Sequence, residues 1–238
     1  SCHNKCIFCF IDQMPPGMRE TLYFKDDDSR LSFLQGNYIT LTNMSDKDVE
    51  RIVRYRLEPI NISFQTTNPE LRCKMLHNRF AGNIFPKVQR LYEAGIEMNG
   101  QIVLCKGYND GAELERSISD LSKYLPHLKS VSVVPVGLSK YRDGLAPLEP
   151  FTREETDELI RKTLPELASE EEKKAEIYRA TDGNAFFLRE LLTLIREKGY
   201  TLEKSKKTNY VIQARLSGLS RQERETLGAM AVLSLIHI

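Results

Sequence analysis

Cys2-His3-Asn4-Lys5-Cys6-Ile7-Phe8-Cys9-Phe10, near the start of the chain, spaces three cysteines as Cys-x3-Cys-x2-Cys with an aromatic on each side of the third. Thiolates on short loops are the ligands of iron–sulfur clusters, four of them as a rule. Three leave one iron of a [4Fe–4S] cube without a protein sulfur, and an iron with an open position can take a small molecule. Two other uses of the same residues compete. A structural zinc wants four ligands, and His3 stands too near Cys2 in the chain to swing round easily as the fourth. A disulfide framework fits poorly, because five cysteines leave one over and the rest of the chain is not cysteine-dense. Cys2, Cys6 and Cys9 are the candidate metal ligands.

At 238 residues the chain is long enough for one large domain or two small ones. Its 41% hydrophobic and 28% charged residues are ordinary for a globular protein. A formal net charge of +1 supplies no global field to draw it onto nucleic acid or anionic lipid, so neither is an expected partner. No apolar run approaches the about 20 residues of a membrane span, and no secretory signal is found, so a cytoplasmic, reducing location is expected. The sequence lacks an initiating Met, and the β-strand expected ahead of a cluster loop is not there. It reads as a fragment.

Outward from the cysteines, strand and helix signals alternate between Gln35 and Val136. Tyr38–Asn43, Ile60–Thr66, Gln101–Cys105 and Val131–Val136 are short β-rich runs. Between them, Asp46–Leu57, Ile84–Ala94 and Ala112–Leu125 carry apolar residues at helical spacing. Repeated β–α units imply parallel strands with helices outside. The class is α/β, with a partial (β/α) barrel lacking its first strand. In such barrels chemistry gathers at the C-terminal ends of the strands, where the cysteine loop belongs. After about Pro150 the pattern turns helical, over Arg153–Thr163, Glu170–Ala180, Phe186–Lys198 and Arg221–Val232, with short extended pieces at Tyr200–Leu202 and Asn209–Gln213.

The cysteine spacing, with Phe8 before the last cysteine, resembles the radical S-adenosylmethionine (radical SAM) superfamily. The resemblance extends through CHNKCIFCFIDQMPPGMRETLYFKDDDSRLSFLQGNYITLTN (2–43), ISFQTTNPELRCKML (62–76), QIVLCKGYNDG (101–111) and SVSVVPVGLSKYR (130–142). Over residues 1–150 these runs look like one radical SAM family that carries a PDZ-like module upstream and a domain of unknown function downstream. The resemblance implies a [4Fe–4S] cluster on Cys2, Cys6 and Cys9, with S-adenosylmethionine on the fourth iron. It further implies reductive cleavage to a 5′-deoxyadenosyl radical acting on an unknown substrate, with an electron donor such as flavodoxin or ferredoxin. Phe8 is then expected near the adenine, Gly36 and Asn37 near the methionyl group, and Thr66 and Asn109 at the mouth of the barrel. Asn109 and Asp110 are equally good turn formers. Asp26–Asp28 reads as a solvated charge run neutralised by Lys25 and Arg30, Cys73 and Cys105 as buried thiols, and Arg142 as an exposed, salt-bridged side chain or an anion clamp. A zinc-stabilised binding module is the alternative.

Residues 151–232 read differently. IYRATDGNAFFLRELLTLIREKG (177–199) and VIQARLSGLSRQERETLGAMAVL (211–233) resemble the helical segment after the nucleotide-binding core of LuxR-like signal-transduction ATPases, so a fragment of an ATP-dependent bacterial transcriptional regulator is a further alternative. Their phosphate loop, Gly-x4-Gly-Lys-Ser/Thr, is nowhere in the chain. LEPFTREET (148–156) suits either family, and LSLIHI (233–238) looks like a translated sequencing adapter. The expectation is a chimeric assembly with an adapter-derived tail. Long DNA reads across codons 145–160 are expected to break there; an uninterrupted reading frame in the source DNA overturns the chimera.

Overall fold

In Ile60-Asn61-Ile62-Ser63-Phe64 the side chains alternate between two faces of an extended chain, and the fold is built on that alternation. The computed structural model describes residues 1–181, 183 and 185–198. Among them, β1 (Ile60–Ser63), β2 (Met98–Leu104) and β3 (Leu128–Pro135) form one parallel sheet in the order β1-β2-β3. Ile60, Ile62, Phe64, Met98 and Ile102 bury one face. They pack on Val49 and Ile52 of α2 (Asp46–Tyr55), Val88 and Leu91 of α4 (Phe85–Glu93), and Leu121 of α5 (Gly111–Ser122). Gly100 belongs to this face: a Cβ there would stand 3.1 Å from the Phe64 ring and from Val131 Cγ2, so the ring fills the space the glycine leaves.

The opposite face is polar. Register pairs Asn61 with Asn99 and Asn99 with Ser130. Asn99 Nδ2 donates to Asn61 Oδ1 at 3.0 Å, and Ser130 Oγ donates to Asn99 Oδ1 at 3.0 Å, a side-chain ladder across all three strands. One step further toward the strand ends, Ser63, Gln101 and Ser132 form a second polar row.

The expected barrel piece is realised among the described residues as an open three-stranded sheet. The run Tyr38–Asn43, read as a strand, contributes a single parallel bridge from Ile39 to Ile62. Its continuation fails for two reasons. The Thr40 N–H donates to the Asp27 carboxylate at 2.7 Å, and Leu41 adopts a left-handed backbone with φ 61°. Two short helices went unanticipated, α1 (Ser29–Gln35) and α3 (Pro69–Leu76). α1 is capped by Asp28 and stopped by a left-handed Gly36 with φ 73°. α3 starts from Asn68 with Pro at its first turn, and its buried face carries Arg72 beside Met75 and Leu76, which conceals the usual apolar stripe.

From Pro150 onward a second compact unit begins. α6 (Arg153–Thr163) opens on a Thr152/Glu155 capping box. With α7 (Glu171–Thr181) and α8 (Ala185–Lys198) it buries Ile160, Leu164, Ile177, Leu188, Leu191 and Leu192. The pieces expected at Tyr200–Leu202, Asn209–Gln213 and Arg221–Val232, and the tail 233–238, lie outside the described residues. No described helix is long and apolar enough to cross a membrane. Truncating Ile62 to Ala is expected to cost about 2–5 kcal/mol, and Val133 to Ala on the exposed edge strand less than about 1 kcal/mol. Urea unfolding of the two variants measures both, and equal losses would contradict this division of the sheet into core and edge.

Candidate functional site

Helix termini leave their last carbonyls without intrahelical partners, and in α3 these carbonyls hold the cysteine loop. Lys5 N–H donates to Leu76 O and Ile7 N–H to Met75 O, both at 2.9 Å, so Cys6 is pinned from either side. Cys2 N–H donates to Lys25 O at 2.9 Å, and Cys9 N–H to Cys6 O at 3.0 Å. Beneath the loop, Cys6, Ile7 and Phe8 pack on Met75, Leu76, Ala81, Cys105 and Val136. Cys105 follows β2 and Val136 follows β3, so the loop sits at the C-terminal ends of the strands. Gln13 holds the exit of the loop: Nε2 donates to Cys9 O at 3.3 Å, and its oxygens accept from Ser139 N–H and Oγ.

Asn4, buried inside the loop, joins it to the chain after Ile39. Its Nδ2 donates to Thr40 Oγ1 at 2.9 Å and to Thr42 Oγ1 at 3.1 Å, and its Oδ1 accepts from Asn78 Nδ2 at 2.8 Å. Its own N–H points at Cys2 Sγ, 3.4 Å away. Thr40 passes the network on, its hydroxyl donating to Asp27 Oδ2 at 2.5 Å. The run Asp26–Asp28 is therefore split three ways: Asp26 is exposed, Asp28 caps α1 and pairs with Arg30, and Asp27 is buried. Lys25 pairs with Asp12 at 2.5 Å rather than with the acidic run.

The three thiols lie in one another's field. Burial pushes Cys6 up to about 12, helped by the charges of Cys9, Cys2 and Asp27 and opposed by Arg72. Burial likewise raises Cys2, with a backbone hydrogen bond from Asn4 pulling the other way. At Lys25 burial pulls downward, but the hydrogen bond to Asp12 and the charges of Cys9, Asp12 and Cys2 outweigh it and raise the ammonium. Among the described residues no three of His, Cys, Asp and Glu converge on one ion. A cube takes each thiolate on a different iron, and three free thiols on one loop supply that kind of donor.

The other expected residues fall in different places. Phe8 is in the loop, its ring in the apolar underside. Gly36 and Asn37 end α1, with Gly36 N–H on Ser32 O and Asn37 N–H on Leu31 O. They precede Ile39, and it is Thr40 and Thr42 beyond it that meet the loop. Thr66 is buried, its hydroxyl accepting from Asn68 N–H at 3.1 Å and from Ser117 of α5 at 3.4 Å. Asn109 is buried with its amide committed to the backbone: Nδ2 donates to Gln65 O and Val103 O, and Oδ1 accepts from Cys105 N–H. It staples the ends of β1 and β2. Arg142, read as exposed and salt-bridged, is half-buried; its Nη2 donates to Ile7 O and Ala146 O, and its Nη1 is buried without a partner. Asn4, Gln13, Thr40 and Arg72 were not singled out from the sequence, and Asp27, read with its neighbours as part of a solvated run, is buried instead. An arginine on the same helical face as Met75 and Leu76, and threonines at 40 and 42 on one side of an extended run, were the available signals.

No curated protein matches this chain. A family model does: that of the Radical SAM-like domain, over residues 1–131. The matched span takes in the cysteine loop, its supports Asp27, Thr40 and Arg72, and the sheet as far as β3, more than half of the chain. This chain belongs to the Radical SAM-like domain family.

Proposed function

We propose that this chain is the core of a radical SAM iron–sulfur enzyme, with Cys2, Cys6 and Cys9 as ligands to a [4Fe–4S] cluster. The observation that carries the proposal is the cysteine loop itself, pinned on the α3 carbonyls at the C-terminal ends of the strands. When bound, the cluster and S-adenosylmethionine together supply reductive cleavage of the sulfonium and a radical that takes hydrogen from substrate.

The chain's own part is to hold, orient and screen. Asn4 and the α3 carbonyls fix the backbone on both sides of Cys6. The apolar layer of Phe8, Met75, Leu76 and Val136 keeps water from the underside of the loop, and in this reading Phe8 backs the adenine. Cys105 lies in that layer, its thiol fully buried and pushed up to about 12 by that burial. Asn109 and Thr66 act from behind, by bracing the ends of β1 and β2. Arg142 offers a cation with an unpartnered N–H beside Ile7, suited to an oxyanion of cofactor or substrate. Ser63, Gln101 and Ser132 offer a hydrogen-bonding surface on the polar face of the sheet. The electron comes from a small redox protein of the flavodoxin or ferredoxin kind, and the substrate is polar.

Anaerobic reconstitution of the full chain is expected to give a brown protein with about four irons per chain, and to release 5′-deoxyadenosine from S-adenosylmethionine when dithionite is added. Cys6→Ala is expected to lose both, while Cys73→Ala keeps the iron. A colourless protein holding one zinc overturns the proposal. Asn4→Ala removes the buried link between loop and sheet and is expected to cost about 1–3 kcal/mol. It should also speed amide exchange at Lys5 and Ile7; unchanged exchange there would mean that Asn4 does not hold the loop.

A further inference from the structure

Arg72 is the largest side chain fully removed from water among the described residues. Its guanidinium is shared among four carbonyls: Nε donates to Phe64 O at 2.8 Å, Nη2 to Thr40 O at 2.9 Å and Ser63 O at 2.8 Å, and Nη1 to Ala81 O. None of these acceptors carries a formal charge. The carbonyls take four of its five N–H donors and leave its positive charge without a counter-ion in direct contact. A buried carboxylate, Asp27, is on the other side of Thr40. Asp27, 5% exposed, accepts from Thr40 N–H at 2.7 Å, from Thr40 Oγ1 at 2.5 Å and from Thr42 Oγ1 at 3.4 Å. Burial raises the Asp27 carboxyl, and the hydrogen bonds from Thr40 and Thr42 and the charge of Arg72 pull it back toward the ionised form. Thr40 thus stands between a buried anion and a buried cation, its N–H and hydroxyl turned to one and its carbonyl to the other.

We propose that Asp27 and Arg72, coupled through Thr40, are positioning residues that set the reduction potential of a cluster held by the cysteine loop. This rests on the cluster reading given above. The geometry places both charges at the loop's supports. Arg72 lies one turn before Met75 and Leu76, whose carbonyls carry Ile7 and Lys5. Asp27 lies two residues after Lys25, whose carbonyl carries Cys2, and reaches Asn4 through Thr40. The cluster's redox change is the gain of one electron from a reductant. A fixed negative charge nearby opposes that gain and a fixed positive charge favours it, and in a dry site neither is screened by salt.

The two charges must then act in opposite directions. Asp27→Asn keeps size and hydrogen-bonding capacity, with the Thr40 hydroxyl turning to accept. It is expected to load iron as the unmodified chain does and to shift the cluster midpoint to more positive potential. Arg72→Met is expected to shift it to more negative potential. Asp26→Asn, the exposed neighbour, is expected to leave it in place. The experiment is a dithionite titration of the reconstituted full chain with mediator dyes, followed by electron paramagnetic resonance, with iron content and circular dichroism for each variant. Should Arg72→Met not fold, Asp27→Asn decides alone. A midpoint unmoved by Asp27→Asn, a negative shift, or failure of that variant to hold iron while folded overturns the inference and leaves the cluster reading standing. An unmodified chain that binds no iron removes both.

Discussion

A positive charge buried without water is costly unless its donors are met, and the C-terminal end of this sheet is organised around meeting the donors of Arg72. The four carbonyls it gathers come from separate parts of the chain: Thr40 after the single bridging residue, Ser63 and Phe64 at the end of β1, and Ala81 in the turn after α3. Desolvation brings the guanidinium down to about 10, against the opposing charges of Cys6, Asp27 and Cys73, so it stays protonated. One side chain therefore fixes the relative position of α3, β1 and the chain at Thr40. The cysteine loop hangs from the first and third of these, through Met75 and Leu76 on one side and Asn4 on the other.

Rigidity at that place has a functional sense. A cofactor that does difficult chemistry needs a protein that positions it and keeps out side reactions. Helices α2, α4 and α5 pack on the apolar face of the strands, where Phe64 fills the gap left by Gly100. The polar face is left for small hydrogen-bonding groups. Its first row, Asn61, Asn99 and Ser130, is consumed by its own ladder; its second, nearer the cysteines, is not part of that ladder. Uncharged hydroxyl and amide groups on the second row, with Arg142 beside the loop, are the groups that the proposed polar substrate would meet.

Some of this was legible in the residues themselves. Strands β1, β2 and β3 and helices α2, α4 and α5 follow runs whose periodicity is strong, and their ends moved by only a few residues. α1 and α3 escaped because they are short, and because Arg72 sits where an apolar residue would have marked the stripe. The strand at Tyr38–Asn43 was over-read, since local β-propensity says nothing of the Asp27 carboxylate that takes its Thr40 N–H. Gly36 was weighed as a strand-end glycine, whereas its φ of 73° stops a helix. For Asn109 both roles had equal claim, and the side chain is committed to stapling two strands.

Order along the chain was sufficient for everything that depends on local spacing: three thiols within eight residues, the alternation that gives the sheet two unlike faces, and the change to helix after Pro150. The fold alone decided which of three adjacent aspartates is buried, which arginine is dry, and which asparagine reaches across from residue 4 to residues 40, 42 and 78. Spacing acts through bonds a few residues long, whereas the burial of a charge is settled by groups that only folding brings within hydrogen-bonding distance.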